Sequence, residues 1–329
     1  MRTRKIGTTD IEASVVAVGA WAIGGGTWWG ETDDRESIKS IHAAIEAGIT
    51  LIDTAAVYGW GRSEEVVGKA IHDRRDKVIL ATKCGLWWDD DTGETFFEME
   101  GYTVKRTLRP KTIRQELEFS LKRLQTDYID LYQTHWPSLD PENEPIAETM
   151  EYLLKLKEEG KIRAIGASNV DVAMIKEYQA VGVLDAIQPR YSMLDRAIEQ
   201  DLIPYCIEQN ISSLVYSPLE QGLLTGKITK EQTFKEGEFR NQLIWLKPEN
   251  RGKVIDMLNG WSDLTEKYGC NLVQLVIAWT VEQPGITFAL CGARKVEHST
   301  QNAAAGDVTL DQGDVQRMRN DVEALGEPV

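Results

Sequence analysis

Ile49-Thr50-Leu51-Ile52-Asp53-Thr54-Ala55-Ala56-Val57-Tyr58-Gly59-Trp60-Gly61-Arg62-Ser63-Glu64 is the stretch on which the reading of this chain turns. A β-rich run ends at a carboxylate, and a tyrosine follows five residues later in a loop punctuated by glycine. Two later runs end in the same way. Val78-Ile79-Leu80-Ala81-Thr82 stops at Lys83, and Tyr128-Ile129-Asp130-Leu131-Tyr132-Gln133-Thr134 stops at His135. Asp53, Tyr58, Lys83 and His135 therefore fall at or just past the C-terminal ends of three successive strands. In a parallel α/β barrel that rim is where active sites are built.

Outward from this stretch the chain alternates short β-rich runs with longer amphipathic ones. The pattern predicts strands at 15–19, 49–53, 78–82, 128–134, 162–167, 184–187, 212–216 and 286–290. Helices are predicted near 34–47, 63–72, 111–124, 146–159, 171–181, 199–209, 271–282 and 295–305. Eight strands, each followed by a helix, make a (β/α)8 TIM barrel. Three pieces lie outside the repeat. Residues 3–13, turning at Gly7-Thr8-Thr9-Asp10, read as an N-terminal β-hairpin closing the barrel floor. An insertion after strand 7 spans 222–264, with a charged, exposed part at 229–241, and a C-terminal helix is expected at 311–324. No low-complexity linker divides the chain, so 1–329 is expected to be a single domain.

Net charge over the 329 residues is −15, which argues against nucleic acid or an anionic membrane as a general partner. An anionic ligand then needs a local basic patch. Cys84, Cys206, Cys270 and Cys291 have no CxxC spacing and read as reduced thiols of a cytoplasmic protein. No secretory segment is visible, and no apolar run approaches the roughly 18 residues that span a bilayer. Nucleotide motifs fail as well: Gly59-Trp60-Gly61-Arg62-Ser63-Glu64 ends in Glu where GxGxxG needs Gly, and Gly222-Leu223-Leu224-Thr225-Gly226-Lys227 is one residue short of a P-loop. The four histidines show no HxH or HExxH, so no metal is expected.

Singly, Asp53 reads as a turn cap, Lys83 as a strand-end charge, Tyr58 as a loop aromatic and His135 as a rim polar group. Together they suggest a relay. A tyrosine phenol loses its proton near pH 10, an adjacent ammonium lowers that value, and a carboxylate on the lysine keeps it charged and in place. His135 would orient a carbonyl oxygen at the same point. Such a set fits reversible carbonyl–alcohol chemistry with hydride from a cofactor.

The passage from Asp53 to Glu64, with Lys83 and His135 at the next two strand ends, resembles the aldo-keto reductase family. Gly160-Lys161-Ile162-Arg163-Ala164-Ile165-Gly166-Ala167-Ser168-Asn169 is similar to that family's fifth strand and loop. Tyr216-Ser217-Pro218-Leu219-Glu220-Gln221-Gly222-Leu223-Leu224 is similar to its seventh, and Gly292-Ala293-Arg294-Lys295 to its eighth. The likeness runs over nearly the whole chain. It implies that Tyr58 is the proton donor, tuned by Lys83 and Asp53, with His135 positioning the substrate oxygen. It also implies a nicotinamide cofactor. Ser168, Asn169 and Gln188 would hold its carboxamide, Tyr216 would stack on its ring, and Ala20 and Trp21 would lie against it. Ser217, Leu219, Gln221 and Gly222 would take the pyrophosphate, and Gly292, Arg294, His298, Gln301 and Asn302 the adenosine end. His298 stands where an acidic residue is common in the family. Arg294-Lys295 opens the eighth helix, where this fold commonly binds phosphate, which favours NADP(H) over NAD(H).

Seven of the ten tryptophans fall at or after the first four strands. Trp28, Trp29, Trp60, Trp87, Trp88 and Trp136 are read as substrate-binding, lining a pocket with flat faces suited to a sugar or an aromatic aldehyde. Asp89-Asp90-Asp91 follows Trp87-Trp88 and has two readings, a hydrogen-bonding group for hydroxyls or a set that binds nothing. Gly24-Gly25-Gly26 suggests a mobile first loop, and the insertion a lid over the cofactor that slows its release. Two functions fit: a stand-alone NADP(H)-dependent reductase of aldehydes, ketones or sugar-like polyhydroxy carbonyls, and a cofactor-binding subunit serving a partner, as the potassium-channel β subunits of this family do. A homo-oligomer is compatible with both.

Overall fold

In the computed structural model residues 1–234 and 238–329 are described. Part of the segment expected to be charged and exposed, 235–237, lies outside them.

The chain opens with an antiparallel pair, β1 (Thr3–Lys5) and β2 (Glu12–Ser14), followed by β3 (Val16–Gly19) and a short helix α1 (Gly26–Trp29). Then come α2 (Asp34–Glu46), β4 (Leu51–Asp53), α3 (Arg62–Ile71) and β5 (Ile79–Cys84). Three further strands, β6 (Leu86–Trp87), β7 (Glu94–Met99) and β8 (Tyr102–Arg106), precede α4 (Pro110–Leu124). Strict alternation resumes with β9 (Ile129–Thr134), α5 (Ile146–Glu158), β10 (Ile162–Ser168), α6 (Val172–Gln179), β11 (Ala186–Gln188), α7 (Leu202–Gln209) and β12 (Ser212–Tyr216). Helices α8 (Pro248–Asn259), α9 (Ser262–Tyr268) and α10 (Leu272–Glu282) lead to β13 (Phe288–Gly292), α11 (Val296–Ala304) and α12 (Gln312–Glu323).

Strands β3, β4, β5, β9, β10, β11, β12 and β13 pair in parallel, each with its successor, and β13 returns to β3 to close the barrel. All eight strands expected from sequence are present in it, and the hairpin and C-terminal helix also form where the pattern placed them. Local chemistry explains the helix ends. Asp33 caps α2 by accepting the backbone N–H groups of Arg35 and Glu36. Ile38, Ile41 and Ile45 then recur at helical spacing along α2, with Ile41 buried. In α10, Asn271 and Gln274 form a reciprocal capping box.

Period-two alternation decides what faces the barrel axis. Ala17, Leu51, Ala81, Leu131, Ala164, Ala186, Leu214 and Phe288 point inward into one apolar cluster, closed from below by Ile6 and Ile11 of the hairpin. Their neighbours Val18, Ile52, Leu80, Tyr132, Ile165, Ile187 and Val215 point outward under the helices. One step further along, the inward residue is polar on five of the strands (Asp53, Lys83, Gln133, Gln188 and Tyr216), while Gly19, Gly166 and Leu290 hold the same level on the other three.

Two regions depart from the sequence expectation. The segment after β5, for which the sequence pattern predicts no strand, is a three-stranded antiparallel sheet, β6-β8-β7. Its hairpin turns at Glu100-Gly101, both at positive φ, as a tight two-residue connection demands. The insertion after β12 contains α8 and α9, the former opened by Pro248 in its first turn. None of the helices among the described residues is long and apolar enough to cross a membrane.

Candidate active site

The polar inward layer at the C-terminal rim is built by register. Gly19 pairs with Asp53, Lys83 with Gln133, Gln133 with Gly166, and Ser168 with Gln188. Lys83 is 1% exposed, Asp53 2% and His135 9%. The ammonium of Lys83 donates to Asp53 Oδ1 at 2.6 Å, to the Thr54 carbonyl at 2.8 Å and to the Tyr58 hydroxyl oxygen at 3.4 Å. The second oxygen of Asp53 accepts the side-chain amides of Gln133 at 3.0 Å and Gln188 at 2.9 Å. The His135 ring stands edge-on to Tyr58, their centroids 5.6 Å apart.

The charges follow from this geometry. Burial pulls the Lys83 ammonium below its ordinary range, and Asp53 opposes that pull. Burial holds the Tyr58 phenol well above its usual value, with Asp53 adding to it. From sequence the ammonium was expected to acidify the phenol; in the folded site desolvation outweighs it, because a phenolate here would give up water for a single long hydrogen bond. At neutral pH Tyr58 therefore keeps its proton. Its oxygen already accepts from Lys83, leaving the O–H free to turn to the cavity. Burial, with the positive charges of Lys83 and Arg106, holds His135 far below the usual histidine value, so it is a neutral imidazole. A neutral imidazole, a protonated phenol and an ammonium around one point form a donor set for a carbonyl oxygen.

These groups open onto a cavity of about 940 Å³. Asp53, Tyr58 and His135 line one end of it, and Gly292, Arg294 and His298 the other. Between them lie Ser168, Asn169, Gln188, Tyr216, Ser217, Leu219, Gln221 and Gly222, and Trp21 flanks the chemistry. Asn169 donates to the His135 carbonyl and accepts the Tyr216 hydroxyl at 3.0 Å, so Tyr216 is held over the cavity. Ser217, Glu220, Gln221 and Gly222 all have positive φ, and Gln221 is tied back to the Ser217 hydroxyl. Backbone of this kind can present N–H groups to an anion. Arg294 is half-buried and donates to the Trp29 carbonyl at 3.0 Å. The His298 imidazole is held below its usual value by burial and then by Lys227. Three sequence candidates stand back from the cavity wall. Ala20 is buried, with its carbonyl on the Ser63 hydroxyl; Asn302 is turned onto the Gly292 carbonyl; and Gln301 is half-buried beside it on α11.

The tryptophans divide. Trp21, Trp28, Trp29 and Trp136 line the cavity. Trp60, Trp87 and Trp88 do not, and the added sheet is the reason. Leu86 faces the cavity, so the next residue, Trp87, faces away and stacks on Phe119 with its indole N–H on Asp90. That contact accounts for Asp90, which also accepts the backbone N–H of Thr92. Trp60 stacks on Tyr102 with centroids 4.4 Å apart, packs edge-on against Trp88, and donates to Glu100. Glu100 also accepts from the backbone and hydroxyl of Thr27, fastening the first loop to the hairpin. That loop is anchored a second time: a Cβ on Gly59 would sit 2.2 Å from the Gly24 carbonyl oxygen, so the two backbones are in contact beside Tyr58.

Sequence reasoning missed Gln133, although alternation from Leu131 puts it on the inner face. Its side chain fits because Gly166 opposite has no Cβ; one built there would meet Gln133 Cγ at 2.7 Å. Phe96, Phe97 and Gln242 also line the cavity, from the added sheet and the insertion. Cys84, next to Lys83, points outward, and burial keeps its thiol protonated, with Glu116 adding to the effect.

Comparison with known proteins agrees with this construction. The profile of the Aldo/keto reductase family matches residues 15–322. A protein named NADH-specific methylglyoxal reductase, from Escherichia coli (strain K12), is 45% identical over 327 residues, covering 99% of each chain. The solved glycerol dehydrogenase from Gluconobacter oxydans superposes with a TM-score of 0.88 at 37% identity, over 99% of this chain and 97% of that one. An aldo-keto reductase from Klebsiella pneumoniae in complex with NADPH gives a TM-score of 0.71 at 28% identity, over 97% and 95%. The chain belongs to the aldo-keto reductase family. It is an oxidoreductase acting between carbonyl and alcohol.

Proposed function

We propose that the protein is an NADP(H)-dependent reductase of small aldehydes and ketones, with sugar-like or polyhydroxy carbonyl compounds as substrates. The observation that carries this reading is the buried chain Asp53–Lys83–Tyr58 opening beside His135 onto one end of a long cavity. The cofactor, when bound, supplies the hydride. In this reading Tyr58 gives its proton to the carbonyl oxygen, and Lys83 stabilises the phenolate that is left. Asp53, fixed by Gln133 and Gln188, keeps Lys83 charged and aimed. His135, neutral, orients the same oxygen. In the oxidative direction the phenolate takes the proton back.

The remaining cavity suits a dinucleotide. The segment 217–222, with its four positive-φ residues, would cradle the pyrophosphate, with Ser168, Asn169, Gln188 and Tyr216 around the nicotinamide and Trp21 beside it. The indole N–H of Trp29 is buried with no acceptor among the described residues, as expected of a wall that meets a polar ligand. For the 2′-phosphate we assign Arg294 and His298, with Lys295 and Gln301 of α11 nearby. The name of the E. coli relative points to NADH, so cofactor choice is a sharp test: Arg294→Ala should weaken NADPH binding far more than NADH binding. Trp28, Trp29 and Trp136 would stack on the substrate.

Loss of NADPH absorbance with glyceraldehyde, sugars and aromatic aldehydes, measured beside Tyr58→Phe, tests the whole. Turnover should fall about 10²- to 10⁴-fold in Tyr58→Phe while NADPH still binds. Tight NADPH binding with no turnover across the panel would instead favour a cofactor-binding subunit.

A further inference from the structure

Arg106 ends β8, the inner strand of the added sheet, and its side chain goes to the cavity side. In an antiparallel ladder directly paired residues share a face. Arg106 pairs with Leu86, and Val104, two residues back, pairs with Phe97; Leu86 and Phe97 both line the cavity. The guanidinium carbon lies 3.8 Å from the Phe96 ring centre and 4.5 Å from that of Trp136, two more cavity-lining rings. Those rings are 5.7 Å apart and tilted at 54°, so the cation sits in the angle between them.

Aromatic faces attract the charge but leave a guanidinium's in-plane N–H groups without acceptors. Among the described residues, every other arginine except the exposed Arg35 donates to a carbonyl, hydroxyl or carboxylate. Arg106 donates to none, and its Nε is buried. Glu94, its other ladder partner, is exposed and forms no ion pair with it. In a chain with 52 acidic and 37 basic residues, an arginine set against two rings of the cavity wall and left without a carboxylate is not explained by packing alone. It is also close enough to His135 for its charge to depress that imidazole.

We propose that Arg106 anchors an oxyanion of the substrate, so that the preferred carbonyl compounds carry a carboxylate or a phosphate at the end away from the reacting carbon. This deepens the reductase reading and rests on it. The planar N–H fork matches either group, and the two rings fix its plane before the ligand arrives. A substrate then spans the distance from Arg106 to the donor set of Tyr58 and His135, which selects chain length as well as charge.

The test uses matched pairs: 4-oxobutanoate against butanal, and glyceraldehyde 3-phosphate against glyceraldehyde. In the native protein the charged member of at least one pair should have the higher kcat/KM, and the pair that shows it tells carboxylate from phosphate. In Arg106→Met that advantage should fall about tenfold to a hundredfold, mainly through KM, while the neutral partner changes within about threefold. NADPH affinity serves as the control for folding. A second readout is free of turnover: butanoate or glycerol 3-phosphate should saturably quench tryptophan fluorescence of the NADPH complex, and Arg106→Met should remove the saturation. Neutral substrates turned over as well as charged ones, an equal loss on both in Arg106→Met, or no saturable quench would overturn the assignment. No turnover of either member of either pair, with intact anion-dependent quenching, would instead count against the reductase reading.

Discussion

Two layers of the same barrel, one pleat apart, do opposite things. Leu51, Ala81, Leu131 and Ala186 form a dry plug with Ile6 and Ile11, whereas Asp53, Lys83, Gln133 and Gln188, two residues further along the same strands, form a hydrogen-bonded charge cluster. Both layers are almost wholly buried, so exposure does not distinguish them. The difference lies in what satisfies them. The lower layer needs only close packing, while in the upper one each group is costly alone and tolerable only with its partners. The plug holds the strands in the register that brings those partners together.

Breaking the upper layer should have the largest effect. Lys83→Met leaves Asp53 buried without its counter-charge and Tyr58 without support for a phenolate. Loss of about 3–5 kcal/mol of stability is expected, with turnover lowered about 10²- to 10⁴-fold. Urea melts and steady-state kinetics on the same preparation check both, and a variant that is destabilised yet turns over normally would contradict the relay. Breaking the lower layer should separate the two quantities. Leu131→Ala should cost about 2–5 kcal/mol through a cavity in the plug, yet keep most of its kcat well below the melting temperature. A parallel collapse of kcat would mean that the plug does more than hold register.

A smaller effect comes from behind the rim, where Glu116 on α4 accepts the backbone N–H of Gly85, two residues past Lys83. Burial pushes its carboxyl up to about 8 from an ordinary 4.5. The folded protein thus holds a proton that the unfolded chain has released, and stability falls as pH rises from about 4.5 to about 8, then levels off. Glu116→Gln does not titrate and should flatten that slope, gaining on the native protein at alkaline pH. Melting temperatures compared across the window decide it, and parallel curves for the two proteins would remove the assignment.

The eight strands were legible because each is short, β-rich and bounded by turn residues, and parallel pairing leaves little choice of architecture. The rim groups were legible because Asp53, Lys83 and His135 each end such a run. Gln133 was equally legible by alternation from Leu131, but it sits inside a run rather than at its end. What escaped is long-range. Whether Trp60, Trp87 and Trp88 face the cavity depends on a sheet whose pleat is set by β6 pairing with β8, and no local pattern shows which face meets the barrel. The same docking brings Phe96 and Phe97 to the cavity wall and sets Arg106 against Phe96 and Trp136. The Tyr58 proton was misjudged because partners can be read from sequence, but the depth of burial cannot.

The contact between Gly24 and Gly59 has one more consequence. With no side chain between them, the loop after β3 and the loop carrying Tyr58 meet as two bare backbones, and Glu100 and Arg294 pin the former at its outer edge. The phenol is thus suspended from a frame that touches both ends of the cavity. Through the Arg294 bond to the Trp29 carbonyl, the backbone beside the phenol and the far end of the cavity belong to one continuous piece of structure.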